Sequence, residues 1–286
     1  MSSTALVWLI TGCSSGIGRE LAIAVLERGD HVIATTRLRS FESIKDLKDL
    51  GAHVMVLDVT ESIDKLKAVA AEAIVVYGKV DVVVNNAGFI MPGSFEETTH
   101  EETLTQFNTN VFGALNVARA FLPYMRKQRT GTISFIGSCY GWRPVPFCGL
   151  YVASKFAIRG ISDTLHEEIA PFGLRSICFD FGAFRTPIIE KLPKWVPILD
   201  AYKDAGESAN ATLLAYKGTQ KGDTVRGAYT IIDIIRGEGM ATGRQVHPGF
   251  ALGSDSYETV KKHCENTLAR LEEWKPVSLA TDYPDN

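Results

Sequence analysis

The chain has 286 residues, of which 45% are hydrophobic and 22% charged, as is typical of a globular protein that buries a sizeable core. Its formal net charge of −3 argues against a nucleic-acid partner, since phosphate binding needs a clear basic excess. The five cysteines are scattered without a CxxC pair, and no histidine has metal-ligand spacing beside them. The sequence therefore predicts neither a disulfide framework nor a metal site.

No apolar run approaches the ~20 residues that are needed to span a bilayer. The apolar run at residues 5–10 lacks a basic flank and a cleavage site, and it leads straight into a glycine-rich turn. We therefore read it as a buried strand and expect a cytoplasmic protein without a membrane span.

Apolar runs of strand length alternate with helical patterns through the first 180 residues. The runs are rich in Val and Ile and almost continuously apolar, which is typical of parallel strands covered on both faces. Between them, apolar residues recur with the helical period, for example over residues 104–125 and 151–169. This alternation predicts right-handed βαβ units and a doubly wound parallel α/β sheet. Strands are predicted at Leu6–Ile10, His31–Thr35, His53–Leu57, Val80–Val84, Thr132–Ile136 and Arg175–Phe179.

The alternation breaks at residues 188–222, which show no clear strand or helix pattern. A loop of this length in a compact domain is usually functional or disordered, and we expect this one to cover a substrate. Without a linker or a repeat, residues 1–286 are predicted to form a single domain. The remaining predicted elements are a helix at Thr224–Ile235, a seventh strand at Gly249–Leu252, a helix capped by Ser254, and a polar tail over 276–286.

A glycine-rich turn, Thr11–Gly18, follows the first predicted strand and opens a predicted helix at Arg19–Arg28. Glycines let the backbone turn sharply and approach a pyrophosphate, whose charge meets the helix N-terminus. A tight turn without a ligand is the simpler alternative, but the position between strand and helix favours a dinucleotide site. The predicted cofactor contacts in this turn are Gly12, Ser14, Ser15, Gly16, Ile17 and Gly18.

The end of the second predicted strand indicates which dinucleotide is bound. An acidic residue there would accept the ribose 2′-hydroxyl of NAD. The chain has Thr36 and Arg37 instead, which suits the 2′-phosphate of NADPH, although Arg37 could also be a solvated surface arginine. Asp58 and Val59, after the third strand, are placed to contact the adenine.

Polar residues follow the fourth and fifth predicted strands, namely Asn85-Asn86-Ala87-Gly88 and Ser138. Alone, each could merely hold a turn or cap a helix. Tyr151 and Lys155 are four residues apart on a predicted helix and therefore project from one face. An ammonium held close to a phenol lowers the pKa of the phenol, which makes it a usable acid and base. A lone YxxxK pattern is common by chance, so its weight comes from the surrounding motifs.

In their order and spacing these motifs make the chain resemble the short-chain dehydrogenase/reductase family, within it the branch related to 17β-hydroxysteroid dehydrogenases. The resemblance covers Thr11–Thr186 and includes Asn110 within Asn110-Val111-Phe112-Gly113. It implies a Rossmann fold that binds NADPH. The implied catalytic residues are Asn110, Ser138, Tyr151 and Lys155. The implied cofactor contacts outside the glycine-rich turn are Thr36, Arg37, Asp58, Val59, Asn85, Ala87, Gly88, Tyr151, Lys155, Phe184 and Thr186.

The resemblance also implies a role for each catalytic residue. Tyr151 would protonate the carbonyl oxygen, and Ser138 would donate a hydrogen bond to the same oxygen. Lys155 would bind the nicotinamide ribose, and Asn110 would hold a water beside it. The resemblance further implies a homodimer or homotetramer formed through helices, which we place at Glu101–Lys127 and Tyr151–Pro171.

One departure from the family lies after the sixth strand, where Phe181-Gly182 replaces the usual Pro-Gly. The loss of proline frees the turn, and we expect Phe181 to add apolar bulk near the nicotinamide. Thr186 is still expected to reach the carboxamide, with the backbone of Phe184 beside it.

Apolar and aromatic residues near the predicted site indicate a hydrophobic or aromatic ketone as the substrate, although some of them could be simple core. One alternative is a redox-neutral NADP(H)-binding cyclase or isomerase of secondary metabolism. Another is a non-catalytic NADPH-binding regulator, against which the complete catalytic set argues. The expected walls are Phe89, Ile90, Met91, Cys139, Tyr140, Trp142, Phe147, Phe184 and residues 188–215.

Overall fold

The computed structural model describes residues 4–192 and 194–283. Within these ranges the strands are β1 (Val7–Thr11), β2 (His31–Thr36), β3 (His53–Val56), β4 (Val82–Asn85), β5 (Gly131–Ile136), β6 (Leu174–Phe181) and β7 (Gly249–Leu252). They form one seven-stranded sheet in the order β3-β2-β1-β4-β5-β6-β7, and every described pair is parallel. The predicted doubly wound α/β sheet is confirmed.

The direction of the chain reverses beside β1, which pairs with β2 on one side and β4 on the other. The chain runs outward from β1 to β3, returns to β4, and then continues outward to β7. The loops that leave β1 and β4 therefore diverge and open a crevice at the carboxyl ends of the strands, where such sheets bind ligands. The glycine-rich turn leaves β1 at this crevice, and Asn86 follows β4 there.

Helices cover both faces of the sheet. Trp8 and Ile10 of β1 pack into a core with helices α1 and α8 on one face, whereas Val7 and Leu9 pack with α3, α5 and α6 on the other. Burial on both faces explains why the strands read as continuous apolar runs. The helices are α1 (Gly16–Glu27), α2 (Asp46–Asp49), α3 (Ile63–Tyr77), α4 (His100–Phe107), α5 (Ala114–Gln128), α6 (Gly149–Ile169), α7 (Lys203–Tyr216), α8 (Thr224–Arg236) and α9 (Ser254–Leu279).

The long helix predicted at Glu101–Lys127 is interrupted in the structure. α4 begins after Thr99, which forms a reciprocal capping box with Glu102. Between α4 and α5 the chain forms a π-helical segment, Asn108–Gly113. Such segments often lie at functional sites, and this one contains Asn110.

Three predictions for the C-terminal third are wrong. Residues 188–222 are not irregular throughout, because α7 forms where alanine, leucine and glutamate favour a helix. Ser254 is the first residue of α9 and not its cap, a position that Gly253 takes without a side-chain hydrogen bond. Residues 276–279 of the predicted tail continue α9, while residues 284–286 lie outside the described ranges. Across the residues described, no helix is long and apolar enough to cross a membrane.

Candidate active site

Ser138, Tyr151 and Lys155 meet at the carboxyl end of β5. Ser138 lies two residues beyond the last residue of β5, Ile136, and the other two lie one helical turn apart near the start of α6. Ser138 lies close enough to Tyr151 to lower the pKa of its phenol. Lys155 Nζ lies 5.4 Å from the centre of the Tyr151 ring and donates to the Ile136 carbonyl oxygen at 2.6 Å. All three residues are buried.

Asn110 joins this group from the π-helical segment. Its amide oxygen accepts a hydrogen bond from Phe89 N at 3.1 Å, and its amide nitrogen donates to Phe89 O at 3.0 Å. The same nitrogen donates to the Ser154 hydroxyl at 3.2 Å. Asn110 therefore ties the loop after β4 to the residue that precedes Lys155 in α6.

Burial has the largest effect on the titration of the catalytic pair. It raises the pKa of the Tyr151 phenol, and the Ser138 hydrogen bond opposes this only in part. Burial lowers the pKa of Lys155 to about 8, while the thiol of Cys178 and the carboxylate of Asp180 act in the opposite direction. The expectation that Lys155 lowers the pKa of the phenol is not met, because the ammonium lies over the ring and donates to the Ile136 carbonyl oxygen.

Thr11 and Asn86 hold the glycine-rich turn against the loop after β4. The Thr11 hydroxyl accepts hydrogen bonds from Asn86 N and Ala87 N, both at 3.0 Å. The Asn86 amide donates to Thr11 O at 2.7 Å and to Gly12 O at 3.2 Å. The sequence analysis noted that this motif could merely hold a turn, and Asn86 does hold the turn in the structure.

At two positions of the glycine-rich turn a side chain would collide with neighbouring backbone. A Cβ on Gly12 would lie 2.9 Å from the Cα of Ala87, and one on Gly18 would lie 2.8 Å from the Gly12 carbonyl oxygen. Gly12 and Gly16 have φ values of 73° and 63°, which L side chains rarely adopt. The backbone can therefore come close to a ligand at the N-terminus of α1, and the residues present fit a dinucleotide pyrophosphate.

The segment after β6 faces the same turn. Lys191 Nζ donates to Ser15 Oγ at 2.9 Å, and a Cβ on Gly16 would lie 3.3 Å from the Thr186 side chain. Ser14 and Ile17 complete the turn, and both are partly exposed. A phosphate bound here would meet the helix N-terminus and the Lys191 ammonium. Sequence reasoning missed Lys191, which belongs to no motif and lies 176 residues from Ser15.

Two arginines lie just beyond β2. Arg37 is exposed, whereas Thr36 is buried at the strand end. Partial burial and the positive charge of Arg39 lower the pKa of Arg37, and the negative charge of Asp58 opposes this. The sequence analysis identified Arg37 but missed Arg39, which the turn of the chain brings close to it.

The residues predicted to contact the adenine side differ in their exposure. Asp58 accepts hydrogen bonds from the Thr60 N–H at 3.0 Å and the Thr60 hydroxyl at 2.7 Å, and Val59 is buried. The Asn85 amide donates to Ser134 O at 3.3 Å inside the sheet, so its side chain is directed at β5. Ala87 and Gly88 follow at the crevice, and a Cβ on Gly88 would lie 3.2 Å from Asn110 Oδ1.

The side chain of Phe181, at the end of β6, does not point toward the cofactor site as we expected. Its ring is buried against Phe184, with centroids 4.6 Å apart, and a Cβ on Gly227 of α8 would lie 3.1 Å from it. The prediction that Phe181 adds bulk beside the nicotinamide is wrong, because the side chain points into the core shared with α8. The Phe184 ring lies in the same core, and its backbone forms an isolated parallel bridge with Gly222.

An aromatic cluster anchors the segment 188–222 near the crevice. Phe147 stacks on Trp195 with centroids 4.6 Å apart and meets Tyr202 edge-on at 6.3 Å. The Glu97 carboxylate accepts hydrogen bonds from Ile198 N at 2.6 Å and from the next residue's N at 2.8 Å. Ile198 is itself exposed, contrary to the expectation that it faces a ligand.

The other expected walls divide into two groups. Tyr140 meets Tyr151 edge-on at 6.1 Å, and Cys139 is buried beside Ser138. Phe89, Ile90 and Met91 are partly exposed in the loop after β4. Trp142 is not a wall, because its indole points away and donates to the Asp180 carboxylate at 2.8 Å.

The family model for the short chain dehydrogenases matches residues 6–197. The chain belongs to this family. It is 41% identical over 179 residues to a 3-ketodihydrosphingosine reductase from Bacteroides thetaiotaomicron, covering 62% of this chain and 64% of that one. It is 32% identical over 201 residues to the human 17-beta-hydroxysteroid dehydrogenase type 1, covering 65% and 59%. The matches thus span less than two thirds of these relatives.

A solved short-chain dehydrogenase from Streptomyces avermitilis has the same architecture along the whole length. It superposes with a TM-score of 0.85 at 34% identity and covers 98% of this chain and 100% of that one. The resemblance read from the motifs is confirmed. Two of these relatives are a reductase and a hydroxysteroid dehydrogenase.

Proposed function

We propose that this oxidoreductase is an NADPH-dependent reductase of a hydrophobic or aromatic ketone and that it also catalyses the reverse alcohol oxidation. The observation that carries the proposal is the contact between Ser138, Tyr151 and Lys155 at the crevice, with Asn110 tied to the same helix. When bound, NADPH supplies the hydride for the carbonyl carbon.

Tyr151 donates the proton to the carbonyl oxygen during reduction. Burial raises its pKa, so the phenol stays protonated at neutral pH, which is the form that reduction needs. The Ser138 hydroxyl lies beside the phenol and donates a hydrogen bond to the same carbonyl oxygen, which stabilises the charge that develops there. Lys155, whose ammonium lies over the Tyr151 ring, binds the nicotinamide ribose and so holds the cofactor beside the phenol. Asn110 binds a water beside Lys155, and through this water Tyr151 regains its proton from solvent.

The substrate class rests on the side chains near the catalytic group. Tyr140, Phe147 and Trp195 are aromatic, and Phe89 and Met91 are apolar, so the surroundings favour an apolar or aromatic molecule. The test is a panel of bulky ketones in which both the loss of NADPH absorbance and the products are followed. We expect one NADPH to be consumed for each alcohol formed. Product without net NADPH consumption would favour the redox-neutral cyclase or isomerase.

Cofactor choice gives a first prediction. Arg37 and Arg39 follow the end of β2, where the residue is Thr36 and not an aspartate or glutamate, which supports binding of the adenosine 2′-phosphate. We expect a KM for NADPH at least ~10-fold below that for NADH, equivalent to ~1.4 kcal/mol for a charge-assisted contact. Arg37→Ala should remove most of this difference. Arg270→Ala, in the exposed part of α9, is the control and should preserve it. Equal KM values in the wild type would contradict the assignment.

We also propose that residues 188–222 cover the substrate, which gives a second prediction. The stacking of Trp195 on Phe147 and the two backbone hydrogen bonds to Glu97 connect this segment to the rim of the crevice. We expect hydrogen exchange of the segment to slow when NADPH and a ketone or alcohol are added together. Protection that is the same with and without ligands would favour a segment that is permanently packed on the core.

Assembly gives a third prediction. Three apolar side chains are exposed in the two helical regions expected to form a subunit interface. They are Leu104 on α4 (42% exposed), Phe112 in the π-helical segment (47%) and Phe156 on α6 (44%). We expect light scattering to detect a homodimer or homotetramer at micromolar concentration and Phe156→Glu to shift it toward the monomer. Val75→Glu, which replaces an exposed apolar residue on α3, should leave the assembly unchanged. A monomeric wild type would contradict the proposal.

A further inference from the structure

A buried carboxylate, Asp180 of β6, lies beneath the catalytic group and takes no part in the proposed proton transfer. Its side chain is 2% exposed. It accepts hydrogen bonds from the Trp142 indole at 2.8 Å, from the Arg159 guanidinium, and from the Cys178 thiol at 3.4 Å. Burying a carboxylate costs several kcal/mol of desolvation free energy, which its hydrogen-bond donors only offset. The presence of Asp180 in the core therefore suggests a role other than stabilising the fold.

Two of the three partners of Asp180 belong to the segments that carry Ser138 and Lys155. Trp142 ends the 3₁₀ turn Cys139–Gly141, which directly follows Ser138. Arg159 lies one helical turn after Lys155 in α6. The Arg159 guanidinium also lies over the Trp142 ring, 4.1 Å from its centroid. The three side chains therefore form one cluster that joins β6, the Ser138 segment and α6.

Glycines on both sides leave room for this cluster. Gly137 immediately precedes Ser138, and a Cβ there would collide with Asp180 Oδ1. A Cβ on Gly249 of β7 would lie 2.8 Å from Nη2 of Arg159. Any larger residue at either position would displace one member of the ion pair.

We propose that Asp180 is a positioning residue, whose carboxylate holds the Ser138 segment against α6 and is the buried anion of the place where Lys155 is held on Ile136. The inference rests on the proposed function, in which Lys155 binds NADPH as an ammonium. Asp180 acts through Trp142, Arg159 and Lys155 and does not itself touch the reacting atoms.

The charges around Lys155 agree with this role. Burial lowers the pKa of Lys155, and Asp180 is one of the two groups that act against the decrease. Burial raises the pKa of Asp180 in turn, while Trp142 and Arg159 lower it, so these partners favour the charged carboxylate.

The phenol and the thiols near the pair do not supply a negative charge, Asp163 beside Arg159 is 44% exposed, and Asp255 acts on Cys139. Tyr151 on α6, Cys178 on β6 and Cys139 beside Ser138 each have a pKa that burial raises, which keeps them neutral where Lys155 titrates. His263 of α9 meets the edge of the cluster, with its ring 5.5 Å from that of Trp142. Asp180 is therefore the anionic group in contact with the cluster from within the core.

The decisive measurement is the Kd for NADPH as a function of pH, from roughly pH 6 to 10, by cofactor fluorescence. Affinity of the wild type should fall as the pH rises through the pKa of Lys155, about 8, because the ammonium is lost. Asp180→Asn removes the negative charge and leaves the Arg159 cation. The decrease in affinity should then begin at a lower pH, by at least ~0.5 pH unit.

Two further variants separate positioning from a general loss of stability. Asp163 also pairs with Arg159, at 3.7 Å, but its side chain is 44% exposed, and Asp163→Asn should keep the wild-type pH profile. Arg159→Gln leaves Asp180 without its cation, and the decrease in affinity should move to higher pH. If Asp180→Asn does not fold, this shift in Arg159→Gln decides the question.

An unmoved pH profile in folded Asp180→Asn, or in Arg159→Gln where only that variant folds, would overturn the positioning role and leave the proposed function intact. Absence of NADPH binding by the wild type at every pH would instead overturn the proposed function.

Discussion

Replacing Tyr151 with phenylalanine is expected to lower kcat for ketone reduction by roughly 10²–10⁴-fold, the usual contribution of general acid catalysis. The variant removes only the hydroxyl and keeps the buried ring that packs edge-on against Tyr140. The Kd for NADPH should therefore change by less than about threefold, since the loss concerns the transition state alone. Steady-state kinetics and cofactor fluorescence measure the two quantities separately.

Two companion variants make this result specific. Tyr77→Phe, at the end of α3, removes a phenol far from the crevice and should leave kcat unchanged. Lys155→Ala should weaken NADPH binding as well as turnover, because the same ammonium binds the ribose. Near-normal turnover by Tyr151→Phe on the true substrate would show that Tyr151 is not the acid, and the redox-neutral function would then be favoured.

The pH profile of the wild type provides a related check. Burial raises the pKa of Tyr151 and lowers that of Lys155 to about 8, so Lys155 loses its proton first as the pH rises. Reduction should therefore fade near the pKa of Lys155 and not at that of the phenol. A profile that stays flat well above pH ~8 would contradict this order of deprotonation.

Gly12→Ala is expected to raise the Kd for NADPH on the order of 100-fold, equivalent to ~2.7 kcal/mol. Gly12 has a φ of 73°, and its Cβ would lie 2.9 Å from the Cα of Ala87. The obstacle is backbone and cannot rotate away, so the glycine-rich turn must shift from the place where it meets the pyrophosphate. Isothermal calorimetry with NADPH measures the effect directly.

Gly29→Ala is the matched control. Gly29 also has a positive φ, 81°, but a Cβ there would meet nothing within 4 Å. This variant should lose roughly 1 kcal/mol of stability from backbone strain and bind NADPH normally. If both variants bind NADPH with the wild-type Kd, the turn is not the cofactor site. If both weaken it equally, the defect is general instability.

The order of the strands along the chain could be predicted from the sequence, because each strand is an uninterrupted apolar run set between helical patterns. β5, for example, follows from the run Thr132–Ile136, which extends by only one residue in the structure. The family could be predicted for the same reason, since the glycines after β1 and the spacing of Tyr151 and Lys155 are local in the sequence. Local motifs can be recognised without knowing which residues pack around them.

Sequence alone therefore determined the fold, the family and the identity of the proposed catalytic residues. Tertiary structure alone decided that Asp180 lies beneath Ser138 and that Lys191 reaches Ser15. It also decided that Phe181 points into the core and that burial raises the pKa of Tyr151 more than Ser138 lowers it. The physical reason is common to all four. Contacts between residues far apart in the chain, and the loss of solvent around them, arise only when β6, α6 and the loops pack together.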